Sequence, residues 1–313
     1  MRFFTSLSQI PEGFGPSAVT IGKFDGVHAG HRRVIAELLR IGEEQGLVPT
    51  VVTFDRNPLS LLRPEDCPPP LISNDQKRDL LAELGVAATV MLPFDRAFAQ
   101  QTPQEFVHSI LVLALRAGYV MVGSDFRFGV RGSGDVALLA ELGQEEGFEV
   151  RAIGEVDSAG GRRVSSTWIR QLMAAGDVRA AGELLGREPV VRGVVVHGEN
   201  RGRRLGFPTA NLARDPEGLI PADGVYAGWL GVDGRRYPAA ISVGNNPTFE
   251  GVPERQVEAH VLDETMDLYG RTVEVSFAER IRGMERFEGV AALAAQIATD
   301  VGEVRRVLGS ATA

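Results

Sequence analysis

Short apolar stretches rich in β-branched residues alternate with stretches of helical periodicity through the first 186 residues of the chain. Five of the apolar stretches are predicted to form buried strands: Val19–Ile21, Val48–Phe54, Ala88–Leu92, Tyr119–Val122 and Phe148–Ile153. Strands that alternate with helices at this spacing predict a parallel α/β sheet. Residues 1–16, in which Pro and Gly recur, are predicted to be an irregular lead-in to the first strand.

The pattern changes near Gly186, where Gly and Pro interrupt the helical periodicity. The strand-like runs that follow are short and closely spaced: Val190–His197, Gly224–Val232, Tyr237–Val243, Val257–Leu262 and Thr272–Phe277. Such runs predict a small closed antiparallel β-barrel, followed here by one amphipathic helix with apolar positions from Leu293 to Leu308. We therefore predict two domains, residues 1–186 and 187–313.

Composition narrows the class of protein. The chain has 313 residues, of which 44% are hydrophobic and 24% charged, as in soluble globular proteins. Its net charge of −8 argues against a general nucleic-acid or anionic-membrane binder. The single cysteine, Cys67, forms no internal disulfide, and the sequence offers no signal peptide or membrane span. We expect a cytoplasmic monomer or weak homo-oligomer whose partners are small molecules.

The most informative stretch, residues 22–31, follows the first predicted strand and opens the first predicted helix. Free backbone N–H groups and the helix dipole favour an anion at such a junction, and Gly26 and Gly30 allow its close approach. His28 and His31 add donors that can meet charge developing on a phosphate. A capped helix start with two surface histidines would give the same spacing.

Two later segments also combine residue types that can bind an anion or a ligand. Residues 123–134 form a Gly-rich, Arg-bearing loop with two phenylalanines, which is either a binding loop or an ordinary loop whose aromatic rings pack. Hydroxyl residues from Ser165 to Thr167 open a helix, and Arg170 follows one turn later. This segment predicts a second anion site, although a plain Ser/Thr helix cap would look the same.

The predicted barrel contains a second constellation. Residues 197–212 combine Gly and Arg with the sequence Pro-Thr-Ala-Asn, and the Gly- and Arg-rich part alone could be a solvated loop. In the predicted strand at 257–262, Glu258 and His260 share the face opposite to the apolar residues. A solvent-exposed glutamate is the simplest interpretation of Glu258 from its pattern alone.

Taken together, these motifs resemble those of the bacterial bifunctional riboflavin kinase/FMN adenylyltransferase family. The similarity covers the H-x-G-H form at residues 22–31, the loop at 123–134, the S-S-T-x-I-R segment at 165–170, Pro-Thr-Ala-Asn at 208–211 and E-x-H at 258–260. Further matches lie at 224–227, 244–249 and 267–270. The resemblance implies a Rossmann-like nucleotidyltransferase domain and a riboflavin kinase barrel. It also implies ATP, riboflavin, FMN and FAD as substrates or products, with Mg²⁺ as cofactor.

In the adenylyltransferase half, the resemblance implies catalytic roles for His28, His31 and Arg170. It implies contacts with the ATP phosphates for seven residues: Gly22, Phe24, Asp25, Gly30, Ser165, Ser166 and Thr167. It implies flavin contacts for five: Asn57, Asp125, Phe126, Arg127 and Phe128.

In the kinase half, the resemblance implies that Glu258 is the general base and that Thr209 and Asn211 hold Mg²⁺ with their oxygen atoms. ATP contacts are implied for Gly198, Arg201, Gly202, Gly206 and Pro208.

Two departures from the family pattern keep alternatives open. Asn57 stands where the family often has a histidine, and Asn cannot carry a positive charge. Gly198-Glu199-Asn200 replaces the usual Gly-Asp. The alternatives are a nucleotidyltransferase for another phosphorylated metabolite, and a flavin-binding protein with an impaired adenylyltransferase half.

Overall fold

The computed structural model describes residues 1–154, 161–198, 202, 205–244 and 255–311. The chain forms two compact units, Met1–Ser165 and Ser166–Ala313. In the part of the chain described, no helix combines the length and the apolar character needed to cross a bilayer.

The first unit is built on a six-stranded parallel sheet in the order β1-β4-β3-β2-β5-β6. Its strands are β1 (Arg2–Phe4), β2 (Ser17–Ile21), β3 (Val48–Phe54), β4 (Ala88–Leu92), β5 (Ala117–Gly123) and β6 (Glu149–Ile153). Without the edge strand β1, the order β4-β3-β2-β5-β6 matches the first five strands, 3-2-1-4-5, of a doubly wound nucleotide-binding sheet. The strand order reverses between β2 and β5, where such folds bind ligands at the carboxyl ends of the strands.

Helices of the first unit cover the sheet, and all of them except α2 begin at a residue whose side chain caps the helix. They are α1 (Ala29–Gln45), α2 (Leu59–Leu62), α3 (Asn74–Glu83), α4 (Arg96–Ala99), α5 (Pro103–Phe106, continued by a π-helical segment Val107–Ala114) and α6 (Val136–Glu146). Ser73 and Gln76 form a capping box at α3, as Thr102 and Glu105 do at α5. Gly46 ends α1 in the left-handed region with φ 67°.

The parallel sheet is confirmed, but the description of residues 1–16 as an irregular lead-in is wrong. Residues Arg2–Phe4 form strand β1 and pair in parallel with β4. A three-residue strand at a sheet edge carries too short an apolar pattern to be recognised, and its pairing depends on a strand more than 80 residues away.

The second unit is a closed barrel flanked by helices. Its strands, all antiparallel to their neighbours, are β7 (Val190–Val196), β8 (Ala210–Leu212), β9 (Gly224–Val232), β10 (Arg235–Gly244), β11 (Gln256–Val261) and β12 (Thr272–Arg282). They close in the order β10-β11-β8-β7-β12-β9. Helices α7 (Ser166–Ala175) and α8 (Val178–Leu185) precede the barrel, and α9 (Val290–Ala311) follows it.

The predicted barrel and its long C-terminal helix are confirmed. Apolar residues of α9 pack with Ala227 and Leu262 in a separate hydrophobic core. The sequence pattern missed only the short strand β8.

The two compact units divide between Ser165 and Ser166, before the boundary predicted after residue 186. The difference consists of α7 and α8, which pack on each other, while α8 also packs on β12. The last turn of α7 is tied to the segment before β9, since Ala222 N donates to the Met173 carbonyl at 2.9 Å. The assignment of residues 1–186 and 187–313 to separate activities stays a prediction.

Candidate active sites

The loop between β2 and α1 has an unusual backbone. Phe24 and Val27 have φ values of 47° and 42°, and Gly26 has φ 84°. Left-handed backbone is uncommon for side chains such as Phe and Val, and such strain concentrates at functional sites. Both side chains are buried, and the Gly22 N–H donates to the Val52 carbonyl at 3.1 Å, so packing holds the loop in place. Gly30 lies within the first turn of α1.

His28 and His31 lie together at the start of α1, as predicted. His28 is the N-cap residue, and its Nδ1 accepts a hydrogen bond from the His31 backbone N–H at 3.4 Å. The two rings stack with centroids 3.8 Å apart, and the Phe24 ring lies 4.9 Å from that of His31. The Nδ1 atom of His31 is buried and has no hydrogen-bond partner among the residues that the structure describes. A buried polar atom of this kind marks a place where a ligand can bind.

The surroundings of His31 keep its imidazole neutral. Burial holds the pKa of His31 well below its usual range, and the neighbouring His28, Lys77 and Lys23 lower it further. At neutral pH His31 therefore offers one N–H donor rather than a positive charge. A bound phosphate would favour the protonated form and would change this balance.

A second layer of contacts, which the sequence patterns did not predict, supports this loop. Asp25 Oδ1 accepts from the Leu71 N–H at 2.8 Å, and Thr53 Oγ1 donates to the Lys23 carbonyl at 3.1 Å. Lys77 of α3 is buried, and its Nζ donates to the Phe54 carbonyl at 3.2 Å. A signal for Lys77 was available, because Lys23 and Lys77 are the only lysines among the 33 basic residues.

Asn57 has a clear local role at the end of β3. Its side-chain Oδ1 accepts from the Leu59 N–H at 3.1 Å, and its carbonyl accepts from Ser60 Oγ at 2.8 Å. Asn57 thus organises the start of the short helix α2. The predicted contact between Asn57 and a flavin stays a prediction.

The loop after β5 divides its four predicted flavin contacts between surface and core. Asp125 pairs with Arg163 at 2.8 Å, and this hydrogen bond lowers the pKa of the Asp125 carboxyl. Arg127 is exposed and lies 3.6 Å from a carboxylate oxygen of Asp135. Phe126 is half-buried, and its ring stacks on that of the buried Phe128 at 5.5 Å.

Phe128 belongs to a continuous row of aromatic rings at the carboxyl ends of the strands. Neighbouring centroids in this row are 5.4 to 6.1 Å apart. Its members are Phe54, Phe94, Phe98, Phe106, Phe128 and Phe126. Offset and edge-on rings of this kind form an apolar wall, on which a flat heteroaromatic ligand can pack.

The S-S-T-x-I-R segment lies at the start of α7. Ser165 precedes the helix, Ser166 and Thr167 occupy its first turn, and the half-buried Arg170 follows one turn later. The predicted placement of hydroxyl groups at a helix start is therefore confirmed. Contact of these residues with a triphosphate stays a prediction.

In the barrel, the structure brings together the three side chains predicted for the kinase reaction. Strands β8 and β11 place Asn211 opposite Glu258. Thr209 Oγ1 donates to Glu258 Oε2 at 3.3 Å and accepts from Asn211 Nδ2 at 3.2 Å. Glu258 is half-buried rather than a free surface carboxylate. Two motifs that lie 47 residues apart in the sequence thus form one cluster.

His260 positions the Pro-Thr-Ala-Asn motif. Its Nδ1 lies 2.8 Å from the Pro208 carbonyl oxygen, which can only accept, so this nitrogen carries the proton. The His260 ring also packs edge-on against Phe207 at 5.5 Å. His260 therefore holds the residue immediately before Thr209.

The predicted ATP-binding glycines approach the same motif. A side chain at Gly198 would meet Asn211, since a Cβ atom there would lie 2.5 Å from Asn211 Oδ1. The Gly202 carbonyl accepts from the Phe207 N–H at 2.8 Å, and Gly206 has φ 86°. Arg201, and the family match at 245–249, lie outside the described residues.

Two family models match separate parts of the chain. A family model for FAD synthetase matches residues 11–168, and a family model for riboflavin kinase matches residues 185–308. The first match contains the His28/His31 loop, and the second contains the Thr209–Asn211–Glu258 cluster.

Individual relatives match over nearly the whole chain. The bifunctional riboflavin kinase/FMN adenylyltransferase of Escherichia coli K12 is 40% identical, over 99% of this chain and 97% of its own length. The enzyme of that name from Bacillus subtilis is 33% identical, over 95% and 94%. A crystal structure of a macrolide-efflux protein from Streptococcus pneumoniae is similar with a TM-score of 0.86 and 33% identity, over 97% of this chain and 98% of that one. The chain therefore belongs to the bifunctional riboflavin kinase/FMN adenylyltransferase family.

Proposed function

We propose that this protein makes FMN and then FAD. The barrel phosphorylates riboflavin with ATP, and the His28/His31 site joins FMN to the adenylyl group of a second ATP. The observation that carries the proposal is the hydrogen-bonded cluster of Thr209, Asn211 and Glu258. It provides a carboxylate base beside two polar side chains, which is the arrangement a phosphoryl transfer to a hydroxyl group needs.

In the kinase step, the ribityl 5′-hydroxyl oxygen attacks the γ-phosphorus of ATP. The bond from that phosphorus to the β–γ bridging oxygen breaks, ADP leaves, and the hydroxyl proton passes to Glu258. The hydrogen bond from Thr209 orients the Glu258 carboxylate. His260 acts indirectly, because it holds the Pro208 carbonyl and with it the position of Thr209.

The same cluster suits Mg²⁺. The Thr209 hydroxyl, the Asn211 amide and the Glu258 carboxylate present oxygen atoms, the donors that Mg²⁺ prefers. We propose that Thr209 and Asn211 hold the ion. When bound, Mg²⁺ neutralises charge on the nucleotide phosphates. Contacts with the ATP are proposed for Gly198, Arg201, Gly202, Gly206 and Pro208.

In the adenylyl transfer, a phosphate oxygen of FMN attacks the α-phosphorus of ATP, and pyrophosphate leaves. No covalent enzyme intermediate is needed, because the FMN phosphate is itself the nucleophile. His28, His31 and the N–H groups at the start of α1 would stabilise the charge on the phosphates. Arg170 and the hydroxyl groups at the start of α7 are proposed to contact the triphosphate.

The flavin ring of FMN is proposed to pack against the aromatic row of the first unit. Phe126 is half-buried and can present its ring to the ligand, whereas the buried Phe128 supports Phe126 from behind. Asp125 and Arg127 would supply polar contacts at the same loop. Asn57 would contact the flavin from its position just before α2.

The cellular setting is proposed from composition. The single cysteine and the net charge of −8 are consistent with a cytoplasmic enzyme that works on small molecules rather than on nucleic acid or membranes. A monomer or weak homo-oligomer is proposed.

A time course with two variants tests the proposal. Wild-type protein incubated with riboflavin, ATP and Mg²⁺ should form FMN and then FAD, separated by chromatography. His31→Ala should accumulate FMN, and Glu258→Gln should make FAD only from supplied FMN. If the wild type adenylylates phosphopantetheine or nicotinate mononucleotide instead of FMN, the N-terminal assignment is wrong. Tight flavin binding without ATP turnover would contradict both assignments.

A further inference from the structure

Two basic groups of the N-terminal unit are buried with few polar partners among the described residues. Lys77 is 6% exposed, and its ammonium has the Phe54 carbonyl as acceptor but forms no ion pair with any described residue. His31 Nδ1 is buried and lacks a hydrogen-bond partner within the described part of the chain. Lys77 lies close enough to His31 for its charge to lower the pKa of that imidazole.

The segment that carries Lys77 is fastened both to the His28/His31 loop and to the chain at the end of β3. Leu71 N–H donates to Asp25, Asn74 Nδ2 donates to the Asp55 carbonyl at 2.7 Å, and Lys77 Nζ reaches the Phe54 carbonyl. These contacts place the ammonium at the carboxyl end of β3. Strand β3 pairs with β2, whose own carboxyl end leads into the His28/His31 loop. Ligands of open α/β sheets bind along this edge.

Burial of Lys77 carries an energetic cost. An ammonium has three N–H donors, and one neutral carbonyl satisfies one of them. Burial lowers the pKa of Lys77, while the charges of Asp25 and Asp55 oppose this shift. A buried cation with so few partners is stable only if the rest of the structure compensates for its desolvation. A polyanionic ligand would supply the missing acceptors.

We propose that Lys77 is a further substrate-binding residue of the adenylyltransferase site, whose ammonium binds phosphate oxygens of the nucleotide beside His31. The inference rests on the proposed adenylyl transfer at this site. Lysine suits the task, since its ammonium is a compact point charge on a flexible stem and carries three N–H donors for phosphate oxygens. Every other residue among the 33 lysines and arginines is an arginine, and the two lysines both lie near His31.

The competing interpretation is a structural lysine that merely holds the end of β3. The two interpretations differ in the expected sign of the stability change. If Lys77 serves the ligand, an uncharged side chain of similar length removes a desolvation cost, and the ligand-free protein stays as stable or becomes more stable. If Lys77 is structural, the same change destabilises the protein.

The test compares Lys77→Met with Arg78→Met in the full-length protein. Arg78 is the next residue on α3 and pairs at the surface with Asp75 and Asp79, so its loss changes the net charge equally. For FAD synthesis from FMN, Lys77→Met should lower kcat/KM for ATP by about 100-fold, as loss of one positioned charge does. Arg78→Met should stay within about twofold of wild type. FMN synthesis should be equal in both variants.

Calorimetry supplies the second readout. Lys77→Met should melt at or above the wild-type temperature without nucleotide, and it should gain less stability from added ATP than Arg78→Met does. Normal FAD synthesis by Lys77→Met, or a lower melting temperature without nucleotide, would overturn the inference.

Failure of the proposed function is distinguishable from failure of this inference. If wild-type protein makes no FAD from FMN and ATP, the proposed function fails at that control. The Lys77 inference is then decided by isothermal titration with ATP. Equal binding by Lys77→Met and Arg78→Met would reject it, and weaker binding by Lys77→Met would support it.

Discussion

At the scale of single residues, Gly198 shows how closely the barrel loop approaches the Thr209–Asn211–Glu258 cluster. A Cβ atom at this position would lie 2.5 Å from Asn211 Oδ1, which is closer than packed atoms allow. Gly198→Ala should therefore displace the Asn211 side chain. We expect FMN synthesis to fall at least tenfold while FAD synthesis from supplied FMN is unchanged, as measured by chromatography.

A matched control for Gly198→Ala lies on α9. Gly302 is an exposed helical glycine around which a Cβ atom would meet nothing within 4 Å. Gly302→Ala should keep both activities and should add up to about 1 kcal/mol of stability through helix propensity. Equal loss of FMN synthesis in the two variants would remove the special role of Gly198.

A second residue-scale prediction concerns His31 and pH. Its pKa is lowered by burial and by His28, Lys77 and Lys23, so the unfolded chain binds the proton more readily than the folded one. The folded state should keep its full stability above pH about 6.5 and lose stability as the pH falls below that value. Calorimetry at pH 7.5 and 5.5 should show a smaller decrease for His31→Phe than for wild type. Identical decreases would contradict a buried neutral His31.

At the scale of elements, a buried ion pair fastens α9 to the barrel. Arg282 at the end of β12 makes a two-pronged contact with Asp300 of α9, with N–O distances of 2.7 to 3.2 Å. Asp300 is 6% exposed as a side chain, and Arg282 is 16% exposed. Removing one partner leaves the other charge buried. Asp300→Ala should therefore lower the free energy of unfolding by about 2–4 kcal/mol, the lower range reflecting the partial exposure of Arg282.

The measurement for Asp300→Ala is urea unfolding followed by tryptophan fluorescence. Both tryptophans, Trp168 and Trp229, lie in the second unit, so the signal reports on that unit. Asp263→Ala is the control, because Asp263 pairs with Arg305 of the same helix at the surface and should contribute little. Arg282→Met combined with Asp300→Leu should recover most of the loss. A destabilised double variant would show that packing, rather than the charge, matters here.

At the scale of the whole molecule, the two candidate sites draw on separate sets of residues. The His28/His31 loop lies in the first compact unit and the Thr209–Asn211–Glu258 cluster in the second. A mixture of full-length His31→Ala and Glu258→Gln should therefore convert riboflavin to FAD, since FMN released by one variant can serve the other. Chromatography of the mixture and of each variant alone measures this. Absence of FAD from the mixture, with FAD formed from supplied FMN, would mean that FMN is not released.

Much of the fold could be predicted because its signals are local. The buried strand β3 and the barrel strand β9 matched their predicted bounds, since each is a long run of apolar and β-branched residues. Strands β1 and β8 were missed because three residues carry no periodicity. The contact of α7 and α8 with the barrel unit also left no local trace, since it depends on packing between distant segments.

The sequence by itself determined the family, the sheet and barrel architecture, and the placement of His28 and His31 at the start of a helix. Those features follow from residue type and from spacing along the chain. Only the tertiary structure joined Glu258 to Thr209 and Asn211, buried Lys77 near the His28/His31 loop, and kept His31 neutral. The pKa of a group and the geometry of a site depend on which groups meet in space and on how much water they lose. The spacing of residues along the chain encodes neither of these two causes.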